Sequence, residues 1–321
     1  MSKDKNYCGI DVSKDKLDAF NEQAGHIVIE NDLKGFRELL KWAPSKAHFV
    51  MEATGVYHKK LAHFIHNRAC QVSVVNPLII KRFSQMLLRS TKTDKADAQM
   101  IYKYAVQNPP ALWQPAAAYI DACMDLSGLL NLMFKQRTAL KNKAHALKTK
   151  DYSEKVVYRC IKQSINNLNR QIEHMEEQME MHIEENAPEL FKQLKSIPGI
   201  GTKTAAFLIV ITDGFRDFET SKQVSSYLGM APSITSSGSS IRGQSRITKT
   251  GNNNMRNLLF LSSFTACKYN PACKQLFDRI TGAGKSKKLA LIAVGNKLIK
   301  QAFALAKSGQ CFNPEFVSIR N

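Results

Sequence analysis

The sequence predicts an α/β N-terminal domain over residues 1–110, a helical, coiled-coil-like segment over 111–190 and a mainly α C-terminal domain over 191–321. Three observations predict this division. The first hundred residues alternate short β-type runs with amphipathic helical runs. Strand signals then stop, and apolar residues recur every three or four positions. Past Lys192 helical patterning continues but is broken by a Gly/Ser/Thr-rich stretch from Ser233 to Asn254.

The elements follow in order. YCGIDV, LDAFNE and HIVIEN read as strands, and DLKGFRELLKWA reads as a helix opening on an Asn31/Asp32 cap. HFVMEA is another strand, VYHKKLAHFIHNRA a helix, and VSVVN a short buried strand stopped by Pro77. Pro77 to Val106 is mostly helical, and Asn108, Pro109 and Pro110 mark a boundary. In the middle segment Leu126, Leu129, Leu130, Leu132 and Met133 stripe one helix, which Leu140, Ala144 and Leu147 continue. A second run from Val156 to Ile183 repeats the spacing of a coiled-coil seam. The pair predicts a helical hairpin suited to self-association or to spanning nucleic acid. Seven glutamates between Glu173 and Glu189 mark a solvent-facing stretch before the last domain.

Charge narrows the function. Lys and Arg number 46 against 27 Asp and Glu, a formal net charge of +19. Between Ser236 and Gln310 there are 13 Lys or Arg and one acid, Asp278, so this third carries +12. A single-sign field of that size points to a polyanion, and phosphate backbones are the candidate. No segment approaches the roughly 20 uninterrupted apolar residues of a membrane span, and the N-terminus lacks the apolar core of a secretory signal. A cytoplasmic, nucleoid-associated protein is expected. The seven cysteines have neither disulfide-framework density nor metal-ligand spacing, so reduced and mostly buried thiols are expected.

Four carboxylates stand where convergence is cheap. Asp11 lies inside an apolar strand, where an unpaired carboxylate is costly to bury and needs a partner or a metal. Glu52 ends another apolar strand before a glycine-containing turn, the place where open α/β sheets put functional groups. Asp94 and Asp97, flanked by Lys92 and Lys95, stand three apart and project from one face of a helical turn. Singly each has an ordinary role, such as a strand-end turn, a helix cap or a first-turn dipole partner. In the order strand Asp, strand Glu, helical DxxD they form the arrangement of a ribonuclease-H-like nuclease domain, in which carboxylates charge-balance paired divalent ions.

Two further stretches bear on nucleic acid. In SIPGIGTKTAAF a Gly-x-Gly turn opens a helix, so the backbone at Gly199 and Gly201 can offer N–H groups to a phosphate and Lys203 adds charge. This resembles a helix-hairpin-helix element; a purely structural helical turn is the alternative. The Ser233–Asn254 stretch offers Ser233, Ser236, Ser237, Ser239, Ser240 and Ser245 as hydroxyl nucleophiles, with Arg242, Arg246 and Lys249 to stabilise a charged phosphorane. Composition does not choose among them. His63 and His66 lack a third metal ligand, GAGKS at Gly282–Ser286 has Arg279 where a P-loop needs glycine, and Cys267 and Cys273 suit no common zinc pattern.

GIDVSKDKLD, MEATGVYHKKL, VVNP and KTDKADAQMI resemble the motifs of the DEDD transposases of bacterial insertion sequences, whose N-terminal domain is similar to the Holliday-junction resolvase RuvC and whose relatives include Piv-type DNA invertases. GMAPSITSSGSSIRGQSRITKTGNNNMR resembles the C-terminal motif of the same family, and the resemblance runs from Tyr7 to about Phe312, weakest through the helical middle. It implies that Asp11, Glu52, Asp94 and Asp97 hold Mg²⁺ (or Mn²⁺), that Ser237 before Gly238 is the nucleophile with Ser236 as the adjacent fallback, and that Arg256 belongs to the nucleic-acid contacts. It further implies strand exchange through a Holliday-junction-like intermediate, a structured bridge RNA pairing with donor and target DNA, and homodimers assembled into a tetramer. Two other readings remain at this point: a RuvC-like junction nuclease that uses water, and a noncatalytic RNA-binding scaffold.

Overall fold

The computed structural model describes residues 6–87, 93–149, 154–233, 236–237, 241–242, 246–248 and 251–315. The chain divides into two compact units, Met1–Pro115 and Ala116–Asn321.

The first unit is built on a five-stranded sheet. Strands β1 (Tyr7–Val12), β2 (Lys16–Asn21) and β3 (Gly25–Glu30) form an antiparallel meander, and β4 (His48–Glu52) and β5 (Gln71–Val75) extend it in parallel from β1. The resulting order, β3-β2-β1-β4-β5, is the ribonuclease-H-like topology. Local chemistry sets the turns. Ser13 Oγ accepts from the Lys16 N–H, while the Asn21 carboxamide accepts from the N–H groups of Gln23 and Ala24 and donates to the Tyr7 carbonyl at 2.8 Å. Asp32 caps α1 (Leu33–Trp42) by accepting from the Gly35 N–H, and Asn76 with Pro77 opens α3 (Pro77–Met86).

Strand alternation then splits the sheet into two faces. One face, with Ile10, Val12, Phe49 and Met51, packs in a core with Phe36 and Leu39 of α1 and Leu61 and Ile65 of α2 (Tyr57–His66). The other, with Tyr7, Val50 and Val75, packs with Ile80 and Phe83 of α3 and Met100, Ile101 and Ala105 of α4 (Asp94–Gln107). Gly9 lies on this second face, where a Cβ would collide with the backbone of Ala98 and Tyr102. Only glycine lets α4 settle this closely on β1. His63 and His66 hold Trp113 edge-on, with ring centroids 5.1 and 5.9 Å away, which gives that pair a packing role.

The described residues of the second unit are helical apart from two short strand pairings. Helices α5 (Ala118–Lys148) and α6 (Lys155–Asn186) run antiparallel: Cys123 lies by Met179, Arg137 bonds Asn169, and Lys148 sits over Tyr158. The buried residues of α5 are Ile120, Cys123, Ser127 and Leu130, all in its first half. Then come α7 (Pro188–Lys195), α8 (Thr202–Thr212), α9 (Ser221–Tyr227), α10 (Asn253–Tyr269), α11 (Pro271–Gly282) and α12 (Lys287–Ser308). Helix α8 is buried from Thr204 through Val210 and forms the centre of this core. Helix α12 has the length and apolar composition of a membrane span, yet Val294, Leu298, Ile299 and Ala302 are buried in the same core, and Lys297 and Lys300 interrupt it.

Two expectations change. Within the serine stretch two short antiparallel pairings stand where an irregular loop is expected: β6 (Pro232–Ser233) pairs with β9 (Arg246–Ile247), and β7 (Ser236–Ser237) pairs with β8 (Ile241–Arg242). Its Ser, Thr, Ile and Arg residues tolerate extended backbone, which Gly-rich composition masks in a sequence reading. Of the seven free cysteines, Cys8, Cys123 and Cys273 are buried, whereas Cys160 and Cys311 are exposed.

Candidate active site

The acids come together at one end of the sheet. Ile10 pairs with Met51 across the parallel strands, so Asp11 and Glu52 are the next residues on two adjacent strands, and by alternation both turn to the α4 face. On α4, Thr93 Oγ1 accepts from the Ala96 N–H and starts the helix, which places Asp94 and Asp97 in its first turn. The fit at Gly9, two residues before Asp11, docks that turn against β1.

Electrostatics reports the same gathering. The half-buried Asp11 carboxyl is pushed up to about 6, first by burial and then by the negative charges of Asp97, Asp94, Glu52 and Asp18. Like charges within mutual reach form a negative site that favours a cation. The donors are all carboxylate oxygens, the ligand type of hard divalent ions. Among the described residues, no group of three His, Cys, Asp or Glu is close enough to hold one ion in this conformation.

Asp18 is the addition that sequence reading missed. It lies directly opposite Asp11 in the β1–β2 register, and its carboxylate is 2.8 Å from His26 Nε2 on β3. Like charges opposed across strands are unfavourable, and His26 gives the Asp18 carboxylate a partner beside Asp11. The tight hairpin of VSKDK holds the signal, because its register sets residue 11 against residue 18.

The second unit distributes its candidates differently. Ser237 pairs with Ile241, and Ser236 with Arg242. Arg246 pairs with Ser233. Gly238 and Lys249 fall outside the described residues. At the α7–α8 hairpin, Gly199 has φ +107° and a Cβ there would strike Ala266 of α10, so its conformation and its packing both require glycine. Gly201 is exposed at the start of α8 with open space where a Cβ would go. Lys203 forms an ion pair with Glu176 of α6 at 2.5 Å, and Glu173, Glu177 and Glu180 line the adjoining groove. Arg256 donates to the Leu228 carbonyl at 3.3 Å and to Asn253 Oδ1 at 3.2 Å. Gly251, at φ +126°, presses on the backbone of Tyr227 and Leu228. Thus Arg256 and Gly251 converge on the end of α9.

Together, an RNase H-like sheet with a carboxylate cluster and a basic helical unit fit a protein that acts on nucleic acid, and the comparisons give its class, a transposase or recombinase. A DEDD-type transposase profile of the IS110 group matches residues 8–149, and the profile described as "Transposase IS116/IS110/IS902 family" matches residues 191–278. The chain is 32% identical over 330 residues to the pilin gene-inverting protein of Moraxella lacunata, covering 96% of this chain and 98% of that one, and the homologue of Moraxella bovis matches to the same extent. The transposase for insertion sequence element IS1111A of Coxiella burnetii is 24% identical over 288 residues, covering 80% of this chain and 76% of that protein. The chain belongs to the IS110/IS902 transposase family and is related to the Piv-type DNA invertases.

Proposed function

We propose that this transposase exchanges DNA strands by serine attack at a site that Asp11, Glu52, Asp94 and Asp97 complete, guided by a structured bridge RNA that pairs with donor and target DNA. The observation that carries the reading is the gathering of Asp11, Glu52, Asp94 and Asp97 on the α4 face, where the charges of the other three act on Asp11. The full-length likeness to gene-inverting proteins supports strand exchange over simple hydrolysis.

Mg²⁺ or Mn²⁺, when bound by these carboxylates, supplies charge neutralisation at the scissile phosphate and a lowered pKa for the attacking hydroxyl. Asp11 and Glu52, at adjacent strand ends, and Asp94 and Asp97, in the first turn of α4, would hold the ion through their carboxylate oxygens. The Ser237 oxygen forms a bond to phosphorus as the P–O3′ bond breaks, and the hydroxyl proton ends on the departing 3′ oxygen. A 3′ hydroxyl of the partner strand then attacks the phosphoserine, re-forming a phosphodiester and returning the serine. No bond energy is lost to water. Arg242, Arg246 and Lys249 stabilise the charged phosphorane, and the basic C-terminal third holds backbone. The family resemblance implies a working form of dimers assembled into a tetramer on nucleic acid, with the acids of one copy meeting the serine of another.

Ser237→Ala is expected to abolish strand exchange and the covalent protein–DNA adduct on a denaturing gel while retaining nucleic-acid binding. Full recombination by that variant overturns the serine assignment, and Ser236→Ala is the paired control. Copurification followed by sequencing of bound RNA tests the guide.

A further inference from the structure

Asp18 and His26 stand beside the four acids without a part in the chemistry derived above. Asp18 is the direct register partner of Asp11, and directly paired strand residues share a face, so Asp18 turns to the α4 face with Asp11. For a purely structural residue this placement is costly. Two carboxylates opposed across strands repel, and the charge of Asp18 is among those that act on Asp11. Thr or Val at this position suits a strand better and brings no repulsion. Helix α4 covers the neighbouring part of the same face, with Tyr102 edge-on to Phe20 at 5.3 Å between ring centroids. Its first turn carries Asp94 and Asp97.

His26 answers that cost in a particular way. It stands on the edge strand β3 opposite Phe20, while the register partner of Asp18 is Val28, so the imidazole reaches diagonally across the strand pair. Its Nε2 donates to Asp18 Oδ1 at 2.8 Å, and the two side chains are only 20% and 13% exposed. The bond occupies Oδ1 and leaves Oδ2 for a further ligand. Carboxylates that bind a metal are held in this manner, oriented by a hydrogen bond from a neighbour that does not itself touch the ion. A lysine at position 26 would hold the same oxygen but set a fixed positive charge beside a site built of carboxylates. We infer that Asp18 is a fifth carboxylate of the acidic site and that His26 is its positioning residue. The inference rests on the reading that this site takes divalent ions, and adds a ligand and the residue that orients it. A simple tie between β2 and β3 is the competing account of the pair.

Mn²⁺ is the probe, titrated into the full-length protein without nucleic acid and read by the electron paramagnetic resonance signal of the free ion. Asp11→Asn sets the scale for loss of a ligand. Asp18→Asn is expected to weaken Mn²⁺ binding about tenfold or more. His26→Ala is expected to cost about tenfold, and His26→Gln, whose amide N–H takes the place of Nε2–H, to recover most of that loss. A tie between strands predicts another pattern: Asp18→Asn and His26→Ala lower the melting temperature in chelator and leave Mn²⁺ affinity unchanged. That pattern overturns the inference, and a His26→Gln protein as weak as His26→Ala overturns the positioning role. If Asp18→Asn does not fold, the two His26 variants on the edge strand decide the outcome. A wild-type protein that binds no Mn²⁺ overturns the metal reading itself. Binding that Asp11→Asn abolishes and Asp18→Asn leaves untouched overturns this inference alone.

Discussion

Asp11 is held half-buried among other acids, and its raised pKa fixes the sign of a pH effect. In the metal-free protein a carboxyl near 3.9 when unfolded and about 6 when folded favours the folded state below about pH 4, and that contribution is lost as pH rises through 6. Asp11→Asn is therefore expected to raise the melting temperature in chelator at neutral pH by roughly 2–4 °C and to flatten its pH dependence between about pH 4 and 6. Parallel melting curves for the two proteins across that range sink the burial and repulsion account. The same variant is expected to lose DNA cleavage, so stability and activity move in opposite directions. Asp11, Glu52 and the DxxD pair were legible in sequence because strand alternation and helical spacing fix which way such side chains turn. Asp18 and His26 were not, because their meeting depends on hairpin register. Nor was the engagement of Lys203 by Glu176 or of Arg256 by Leu228: a residue's type is written in the chain, its neighbour is not.

Among elements, the contact of α4 with β1 is the one on which the site depends. Gly9→Ala drives a methyl into the backbone of Ala98 and Tyr102, an overpacking expected to cost about 1–3 kcal/mol by denaturant unfolding and to displace the turn that carries Asp94 and Asp97. Gly201→Ala offers the contrast, since nothing stands within reach of its Cβ and its backbone is extended. Stability is expected to change by no more than about 0.5 kcal/mol. If the hairpin approaches a phosphate closely, nucleic-acid affinity nevertheless falls, and unchanged binding in a filter assay assigns the hairpin a structural role. The strands and helices of the first unit were readable because their apolar periods are long and their caps explicit, as at Asp32 and Asn76. The β6–β9 and β7–β8 pairings were hidden, since two-residue strands give no period and cross-strand pairing decides them.

For the molecule as a whole, a charge of +19 with a +12 block in the C-terminal third predicts binding governed by released counterions. Raising salt from about 50 to 200 mM is expected to weaken DNA or RNA binding by roughly 10³-fold if six phosphates are contacted. A flat salt response in a fluorescence titration argues against the basic third as the contact surface. The division at Pro115 and Ala116 carries a consequence of another kind. Each side keeps its own apolar core, so an exchange of genetic material at that junction severs neither. The carboxylate half and the basic half are therefore separable folding modules, and an active graft has to carry both, because the proposed metal ligands and the proposed nucleophile lie on opposite sides of the junction.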